Sequence, residues 1–263
     1  VLGTGNKVFI ISNLITERKE LLYMKILFML PARSGSKGLK DKNIKEINGH
    51  PLMFYAINAI LESSSYKNHK CYVMLNTDSQ NYADIGISLG AKVPFIRDKK
   101  LSKDNTCIVD VIDNSISYFK DRQVDFDLFA MVQVTSPLIT AQDIDNAIHM
   151  FEEDSQLDTI NSVTESEIMP LWCNTLDKDL DMKDFISEEI RKKNRQELPV
   201  YYRITGAIRI SKWNHFINNK YDWYQGNVKA LIMDNAHSVD IDTVEDFEWA
   251  KLLLQRRSKK AVP

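Results

Sequence analysis

The sequence predicts an α/β protein in which a mostly parallel sheet is flanked by helices. Short apolar runs alternate with amphipathic stretches from Lys25 onward, which is the pattern of buried parallel strands covered by helices. The chain has 263 residues, enough for one large or two modest domains with a substantial core. Glycine and proline number only 9 and 7, which excludes collagen-like and linker-like sequence.

The predicted strands are short apolar runs spaced along the chain. The strand candidates cover residues 26–30, 71–75, 92–96, 128–134 and 159–163. Regular structure is expected again over residues 202–210 and 229–233. These runs are too short to cross a bilayer, which takes about 20 apolar residues, so no membrane span is expected.

The predicted helices are the amphipathic stretches between those runs. They cover residues 51–62, 82–89, 108–119 and 141–152, with a C-terminal helix over 244–254. In the first of them Phe54, Ile57 and Ile60 recur at helical spacing, and Pro51 lies near the first turn, where its missing N–H costs nothing. This apolar face should pack on the sheet.

Two segments differ from the rest of the chain. Residues 1–23 are too short and too charged for a secretory signal core, and Met24 resembles a natural start, so they are a leader, an upstream extension or an added sequence. The expected domain is 24–257. Within it, residues 165–200 are charged and weakly periodic, which indicates an insertion or arm, or simply a solvated excursion.

Composition narrows the classes of partner. A formal net charge of −2 gives no global cationic field, so neither nucleic acid nor an anionic membrane is an expected partner. The 3 cysteines are odd in number and far apart, without the spacing of a zinc ribbon or redox motif. This usage indicates a reducing compartment and therefore a cytoplasmic protein.

A basic, glycine-containing loop follows the first predicted strand, in the sequence LPARSGSKGLKDKN from Leu30 to Asn43. Its glycines let backbone N–H groups converge on an anion, and its cations, Arg33, Lys37 and Lys42 among them, can neutralise a polyphosphate. Neither the Walker A pattern nor the G-x-G-x-x-G dinucleotide pattern is present. The alternative is an ordinary basic surface loop.

A pair of aspartates lies near the carboxyl end, in the sequence Val-Asp-Ile-Asp at residues 239–242. If this segment is a strand, Val239 and Ile241 face the core while Asp240 and Asp242 share the other face. Two carboxylates on one face suit Mg²⁺, which completes its octahedron with waters and substrate phosphates. The alternative is that they cap the helix that begins near Thr243.

These motifs resemble those of a known family. The basic loop is similar to the amino-terminal signature of the CMP-sialic acid synthetases and their relatives for bacterial nonulosonic acids. FIRDKKLSKDNT, VQVTSPL, RQELPVYYRITGAIRI and SVDIDTVEDFEWA resemble further family segments and follow in the right order. The resemblance covers roughly residues 24–254 and implies a Rossmann-like nucleotidyltransferase fold. It also implies a homodimer in which the insertion crosses to the second subunit.

The resemblance implies a reaction of CTP with a free acidic nine-carbon 2-keto sugar, giving a CMP-sugar and pyrophosphate. The nucleotide-binding residues that it implies are Leu30, Ala32, Arg33, Asn43, Arg97, Asn105 and Thr106. The sugar-binding residues that it implies are Gln133, Arg195, Tyr201 and Tyr202. The catalytic residues that it implies are Lys42, Arg33, Lys37 and Arg195, with Asp240 and Asp242 holding Mg²⁺. In this scheme Lys42 and Lys37 offset triphosphate charge, and Arg33 grips the distal oxygens.

Three points leave the sugar open. Ile139 stands where the family usually has an arginine, and Thr205 where it often has asparagine. Only one of Tyr201 and Tyr202 can face a pocket if their segment is extended.

The alternative functions are a sugar nucleotidyltransferase with another base or sugar, a glycosyltransferase of related architecture, and a binding module without activity.

Overall fold

The structure is a computed structural model and describes residues 23–36 and 38–260. Nearly all of the expected leader, and Lys37 of the basic loop, lie outside the described residues. In the described part of the chain, the main sheet has six strands in the order β4-β1-β5-β7-β6-β8. They are β1 (Lys25–Pro31), β4 (Lys70–Asn76), β5 (Leu128–Val132), β6 (Thr159–Glu165), β7 (Tyr202–Lys212) and β8 (Val228–Ile232). A small hairpin of β2 (Glu46–Ile47) and β3 (His50–Pro51) lies apart from this sheet.

The sheet is mostly parallel, as the sequence predicted. β1 pairs in parallel with β4 and β5, and β6 pairs in parallel with β8. The exception is β7, which is antiparallel to both of its neighbours, β5 and β6. The chain therefore enters β7 at the edge where the parallel strands end.

Helices cover both faces of the sheet. They are α1 (Leu52–Glu62), α2 (Ser64–Asn68), α3 (Gln80–Ser88), α4 (Ile108–Lys120), α5 (Ala141–Glu153), α6 (Glu188–Arg191), α7 (Trp213–Asn218) and α8 (Val244–Lys260). No helix in residues 23–36 and 38–260 is both long and apolar enough to cross a bilayer.

Strand β1 shows how the two faces are filled. Its residues Ile26, Phe28 and Leu30 belong to a core cluster that includes apolar residues of α1 and α5. Leu27 and Met29 belong to a second cluster that includes residues of α4 and α7. Alternate side chains of one strand thus bury themselves against helices on opposite faces, as expected for a central parallel strand.

A third apolar cluster joins the two ends of the described chain. Leu39 of the basic loop packs in it with Leu138, which follows β5, and with Ile241, Phe247 and Leu254 near the carboxyl end. Because these side chains are buried together, the loop after β1 and the segment before α8 are fixed side by side.

Most predicted elements are confirmed, but the strand at 92–96 is wrong. In that segment only Lys92 bridges to β4, opposite Met74. Pro94 has no N–H to donate, which prevents a regular ladder from continuing through it. The segment of residues 239–242 also forms no strand, although its predicted facing is correct: Ile241 is wholly buried and Val239 packs beside it.

The predicted arm is an excursion between β6 and β7. It contains only short helical turns, at Pro170–Trp172, Glu188–Arg191 and Arg195–Glu197. Several of its large apolar side chains are exposed, namely those of Ile168, Trp172, Leu176, Leu180 and Met182. The arm therefore has no core of its own among the described residues.

Candidate active site

A cleft of about 600 Å³ opens beside the carboxyl ends of β1 and β5. Ligands of open α/β sheets bind at this edge, where the connections leave the strands. Its walls come from the loop after β1, the segment around 97–111, the end of β5, strand β7 and the aspartate pair. Among the predicted site residues, those lining it are Arg33, Lys42, Asn43, Arg97, Thr106, Gln133, Asp240 and Asp242.

Residues from opposite ends of the described chain meet in this cleft. The Lys42 Nζ lies 2.8 Å from Asp242 Oδ1 and donates to the Ile241 carbonyl oxygen at 2.6 Å. Gly38 packs so closely that a Cβ there would lie 2.2 Å from the Asp242 carbonyl oxygen. The basic loop and the aspartate pair therefore form one continuous surface, as a shared triphosphate–metal site requires.

Asp240 opens on the cleft beside Asp242. The surrounding walls remove enough water to raise the pKa of its carboxyl, and the nearby Asp242 charge raises it further. A hydrogen bond with the Thr135 side chain and the Lys42 charge act in the opposite direction. A cation bound beside Asp240 would favour the charged form of this carboxyl.

The helix cap does not use either carboxylate of the pair. Instead, Asp246 Oδ2 accepts from the backbone N–H groups of Asp242 and Thr243, at 3.0 and 2.8 Å. Thr243 Oγ1 in turn accepts from the Asp246 N–H at 3.2 Å. This reciprocal arrangement satisfies the start of α8, so capping is not what the carboxylates of Asp240 and Asp242 do.

The two carboxylates fit a divalent cation that is shared with substrate. Within residues 23–36 and 38–260, no group of three or more His, Cys, Asp or Glu side chains is arranged to hold a metal by itself. A pair of carboxylates suits a cation that takes its remaining oxygen ligands from water and phosphate. Asp240 and Asp242 are the side chains that would hold it.

The cations on the nucleotide side of the cleft are held in place by neighbours. Arg33 Nη1 lies 2.8 Å from Asp104 Oδ1 and donates to the Ser102 carbonyl oxygen at 3.3 Å. Arg97 is buried and donates from Nε to Ser102 Oγ at 3.0 Å. Burial lowers the pKa of the Arg97 guanidinium, and the nearby Asp78 charge partly opposes this. The guanidinium groups are therefore preorganised around one wall.

Asn43 ties the basic loop together. Its Nδ2 donates to the Arg33 carbonyl oxygen at 3.0 Å, while its Oδ1 is buried without a hydrogen-bond partner among the described residues. Leu30 and Ala32 are wholly buried in the core, so their contact with a nucleotide would be made by backbone atoms. Asn105 is exposed and is not part of the lining.

The residues predicted for the sugar are not all brought together. Gln133 lines the cleft, but Arg195, Tyr201 and Tyr202 lie outside its lining. Arg195 is exposed on the arm, where its Nη2 donates to the Glu167 carbonyl oxygen at 3.4 Å. Tyr202 is 51% exposed at the start of β7.

The two departures from the family pattern have different surroundings. Ile139 is buried in the main core and is absent from the cleft lining, so its replacement of an arginine is a packing feature of this fold. Thr205 lines the cleft, and its Oγ1 lies 2.6 Å from Ser162 Oγ, beside an irregularity in the β6–β7 register. Gly206 there has φ of 71°, a conformation that favours glycine.

Sequence reasoning missed Arg209, which also lines the cleft. It lies in β7 between the buried residues Ile208 and Ile210. An arginine between two buried isoleucines was the available signal, since a charge held partly out of water needs a partner or a function.

Comparison with known proteins identifies the family. A model of the cytidylyltransferases matches residues 27–256. The chain belongs to the cytidylyltransferase family. It is therefore a nucleotidyltransferase, with the basic loop, the cleft and the aspartate pair all inside the matched range.

Curated relatives of this cytidylyltransferase bear names of related activities. The CMP-N,N'-diacetyllegionaminic acid synthase of Legionella pneumophila is 28% identical over 91% of this chain and 100% of its own length. The N-acylneuraminate cytidylyltransferase of Escherichia coli is 32% identical over 90% of this chain, which spans only 54% of that longer protein. The pseudaminic acid cytidylyltransferase of Campylobacter jejuni is 27% identical over 90% of this chain and 100% of its own length.

Solved structures share the fold. The CMP:2-keto-3-deoxy-manno-octonic acid synthetase in complex with CTP superposes with a TM-score of 0.63 at 16% identity, covering 89% of this chain and 99% of that one. The 4-diphosphocytidyl-2C-methyl-D-erythritol synthase of Anaerococcus prevotii gives 0.54 at 15% identity, covering 88% and 98%. These likenesses confirm the nucleotidyltransferase fold predicted from the sequence.

Proposed function

We propose that this cytidylyltransferase transfers CMP from CTP to the anomeric hydroxyl of a sialic-acid-like 2-keto sugar acid, releasing pyrophosphate, for a bacterial surface glycan. The observation that carries the proposal is the meeting of Lys42 with the Asp240–Asp242 segment in one cleft. The names of the relatives support an acidic nine-carbon sugar as the acceptor. CTP is an intracellular nucleotide, which supports a cytoplasmic location.

The nucleotide half of the cleft neutralises and orients the triphosphate. Lys42 and Arg33 offer positive charge from one side, and Lys37 belongs to the same loop. Asn43, Arg97, Asn105, Thr106 and the backbone of Leu30 and Ala32 bind the rest of the nucleotide. In-line attack at the α-phosphorus requires the hydroxyl and the departing pyrophosphate to lie on opposite sides of that atom, so catalysis rests mainly on positioning and charge neutralisation.

Asp240 and Asp242 hold a Mg²⁺ ion in this proposal. When bound, the ion supplies charge neutralisation for the phosphates and the reacting oxygens. The position of both carboxylates in the same cleft as Lys42 supports this assignment. Lys42, which contacts Asp242, keeps that carboxylate aligned and brings a fixed ammonium beside the phosphates.

The sugar half is completed by the arm of a second protomer. We propose a homodimer in which the arm of one protomer, residues 165–200, reaches the cleft of its partner and brings Arg195 to the sugar carboxylate, with Tyr201 and Tyr202 following it. The planar guanidinium fork matches a carboxylate. Exposed apolar side chains on the arm, such as Trp172 and Met182, support an interface there.

The direct test is product formation from a panel of substrates. The protein, Mg²⁺ and either CTP or UTP are incubated with sialic, legionaminic or pseudaminic acid, and with an eight-carbon 2-keto acid as a comparison. We expect pyrophosphate and a CMP-sugar, identified by mass, with CTP and at least one nine-carbon acid. Use of UTP in preference to CTP, or nucleotide binding by calorimetry without turnover of any acid, would refute the proposal.

A further inference from the structure

Arg209 is a cation of the cleft that has no assigned task. Its neighbours in β7, Ile208 and Ile210, belong to the core cluster under α1 and α5, so alternation directs Arg209 to the other face of the sheet. Its Nε is buried and has no hydrogen-bond partner among the described residues. Leaving such a donor unpaired is costly, and few native groups are left so.

The residues around Arg209 contact its side chain but do not neutralise its charge. Its guanidinium carbon lies 5.9 Å from the ring centroid of Trp223, a residue that is only 5% exposed. In register beside it on β5 is Met131, and on β6 is Asn161. Among residues 23–36 and 38–260 no carboxylate forms an ion pair with Arg209, whereas Arg33 and Lys42 have Asp104 and Asp242.

The strand order places Arg209 away from the nucleotide. β5 lies between β1, whose loop carries the phosphate-binding cations, and β7, which carries Arg209. The aspartate pair is anchored beyond the end of β5, at Thr135, where the Ile241 N–H donates to the Thr135 carbonyl oxygen at 2.9 Å. Arg209 instead pairs with Met131, inside β5. The backbone of Arg209 therefore lies further back along the sheet than the segment that carries the aspartate pair.

The position selects which part of the acceptor sugar can reach Arg209. In a 2-keto acid the carboxylate is bonded to the reacting carbon, so it must stay beside the metal end. The ring substituents and side chain of the sugar extend away from that carbon. A guanidinium has only donors and requires an oxygen acceptor, of which the carbonyl of an acylamido group is the strongest that such a sugar carries outside its carboxylate.

We propose that Arg209 is a specificity-determining residue that donates N–H hydrogen bonds to an acylamido carbonyl oxygen of the acceptor sugar, at the end remote from the reacting carbon. The inference rests on the proposed function. Trp223 supplies an apolar backing, and the guanidinium, which lines the cleft without an ion-pair partner among the described residues, can offer its terminal N–H groups to a ligand. Such a site discriminates strongly against a sugar that lacks the acceptor, because its donors are then left unpaired.

The test compares two acidic sugars that differ only in an acetamido group or a hydroxyl at one carbon. The kcat/KM for each is measured with the wild-type protein, Arg209→Gln and Arg209→Lys. We expect Arg209→Gln to reduce the preference for the acetamido sugar by about 10- to 100-fold, as expected for loss of a charge-assisted hydrogen bond, and to change the KM for CTP by less than about 2-fold. Arg209→Lys should retain part of the preference, since it keeps the charge but loses the planar fork.

Arg195→Gln is the matched control. Both sugars carry a carboxylate, so this variant should lower kcat/KM for both by the same factor. An equal loss for both sugars in the Arg209 variants, or a raised KM for CTP, would overturn the inference in favour of a structural or phosphate-binding group. If Arg209→Gln does not fold, Arg209→Lys is judged by the same two measurements, which are the ratio of kcat/KM between the two sugars and the change in the KM for CTP. The pair of sugars is built on an acid that the wild-type protein turns over in the panel described above. If it turns over no acid of that panel, the proposed function itself is refuted, before any variant is made.

Discussion

The two halves of the cleft are built in different ways. On the nucleotide side, Arg33, Arg97 and Lys42 each have a fixed partner within the chain. On the proposed sugar side, Arg209 is half-buried and has no ion-pair partner among the described residues, and Arg195 lies outside the cleft lining. The contrast indicates that the wall carrying Arg33, Arg97 and Lys42 is prearranged by contacts within the chain, while the charge of Arg209 is left for a ligand. Four changes test this comparison.

The largest expected effect is from Asp240→Asn and Asp242→Asn. Each removes a carboxylate that would hold the cation against the phosphates, so we expect kcat to fall by about 100-fold or more, with a much smaller change in the Kd for CTP. Turnover assays and calorimetry measure the two quantities. Glu245→Gln is the control, since it changes an exposed carboxylate in the first turn of α8 that is not part of the cleft lining, and it should leave kcat largely intact. A similar fall in kcat for all three variants would contradict the assignment.

Lys42→Met should have the next largest effect. It removes a mostly buried ammonium, whose side chain is 13% exposed, from beside the phosphates and from Asp242. We expect kcat/KM for CTP to fall by about 10- to 100-fold. Lys40→Met, which changes an exposed lysine of the same loop, should be nearly silent. If both variants lose activity equally, the loop acts only through its total charge.

Gly38→Ala tests the contact between the two ends of the chain. Its Cβ would meet the Asp242 backbone carbonyl oxygen at 2.2 Å, so either the loop or the aspartate segment must shift. We expect a loss of about 1–3 kcal/mol in the free energy of unfolding, measured by denaturant titration, together with weaker CTP binding. Gly35→Ala is matched to it, because a Cβ there meets nothing within 4 Å. Equal stability of the two variants would show that the close approach is not a constraint.

The smallest expected effect is a dependence of stability on pH that comes from the contact between Asp143 and His237. The His237 Nδ1 lies 3.0 Å from Asp143 Oδ2. Burial acts to raise the pKa of Asp143, but hydrogen bonds from His237 and Thr140 outweigh it and hold the pKa below its ordinary value. The fold therefore gains stability from the charged carboxylate above the unfolded pKa near 4, and loses it as pH falls through the lower folded pKa. Asp143→Asn should flatten this acid limb by about 1 kcal/mol in unfolding experiments. If the loss of stability at low pH is the same in the variant, the Asp143–His237 contact is excluded as its source.

Periodicity and turn chemistry were enough to predict most of the fold. The continuous apolar run of residues 26–30 and the helical spacing of Phe54, Ile57 and Ile60 agree with β1 and α1. The prediction of a strand over residues 92–96 was wrong because it gave more weight to apolar composition than to Pro94. Proline has no N–H to donate to a neighbouring strand. Val239 and Ile241 face inward without a ladder because docking at Thr135 and the third core cluster fix them.

The candidate site could be predicted only where motifs lie in loops of known position. The basic loop was expected at the carboxyl edge of the sheet, and the aspartate pair was expected to meet Lys42 there because one triphosphate and its Mg²⁺ would need both. Arg209 could not be found in that way. Its position depends on β7 running against its neighbours, a fact that appears only when strand order and direction are known.

That one reversed strand has a consequence for where the chain can vary. Because β6 ends and β7 begins at the same edge of the sheet, the 166–201 excursion leaves and returns at that edge. Its length and sequence can change without altering the hydrogen-bonded ladder of the six strands. Insertions are therefore tolerated at this edge, while the core of the fold keeps its register.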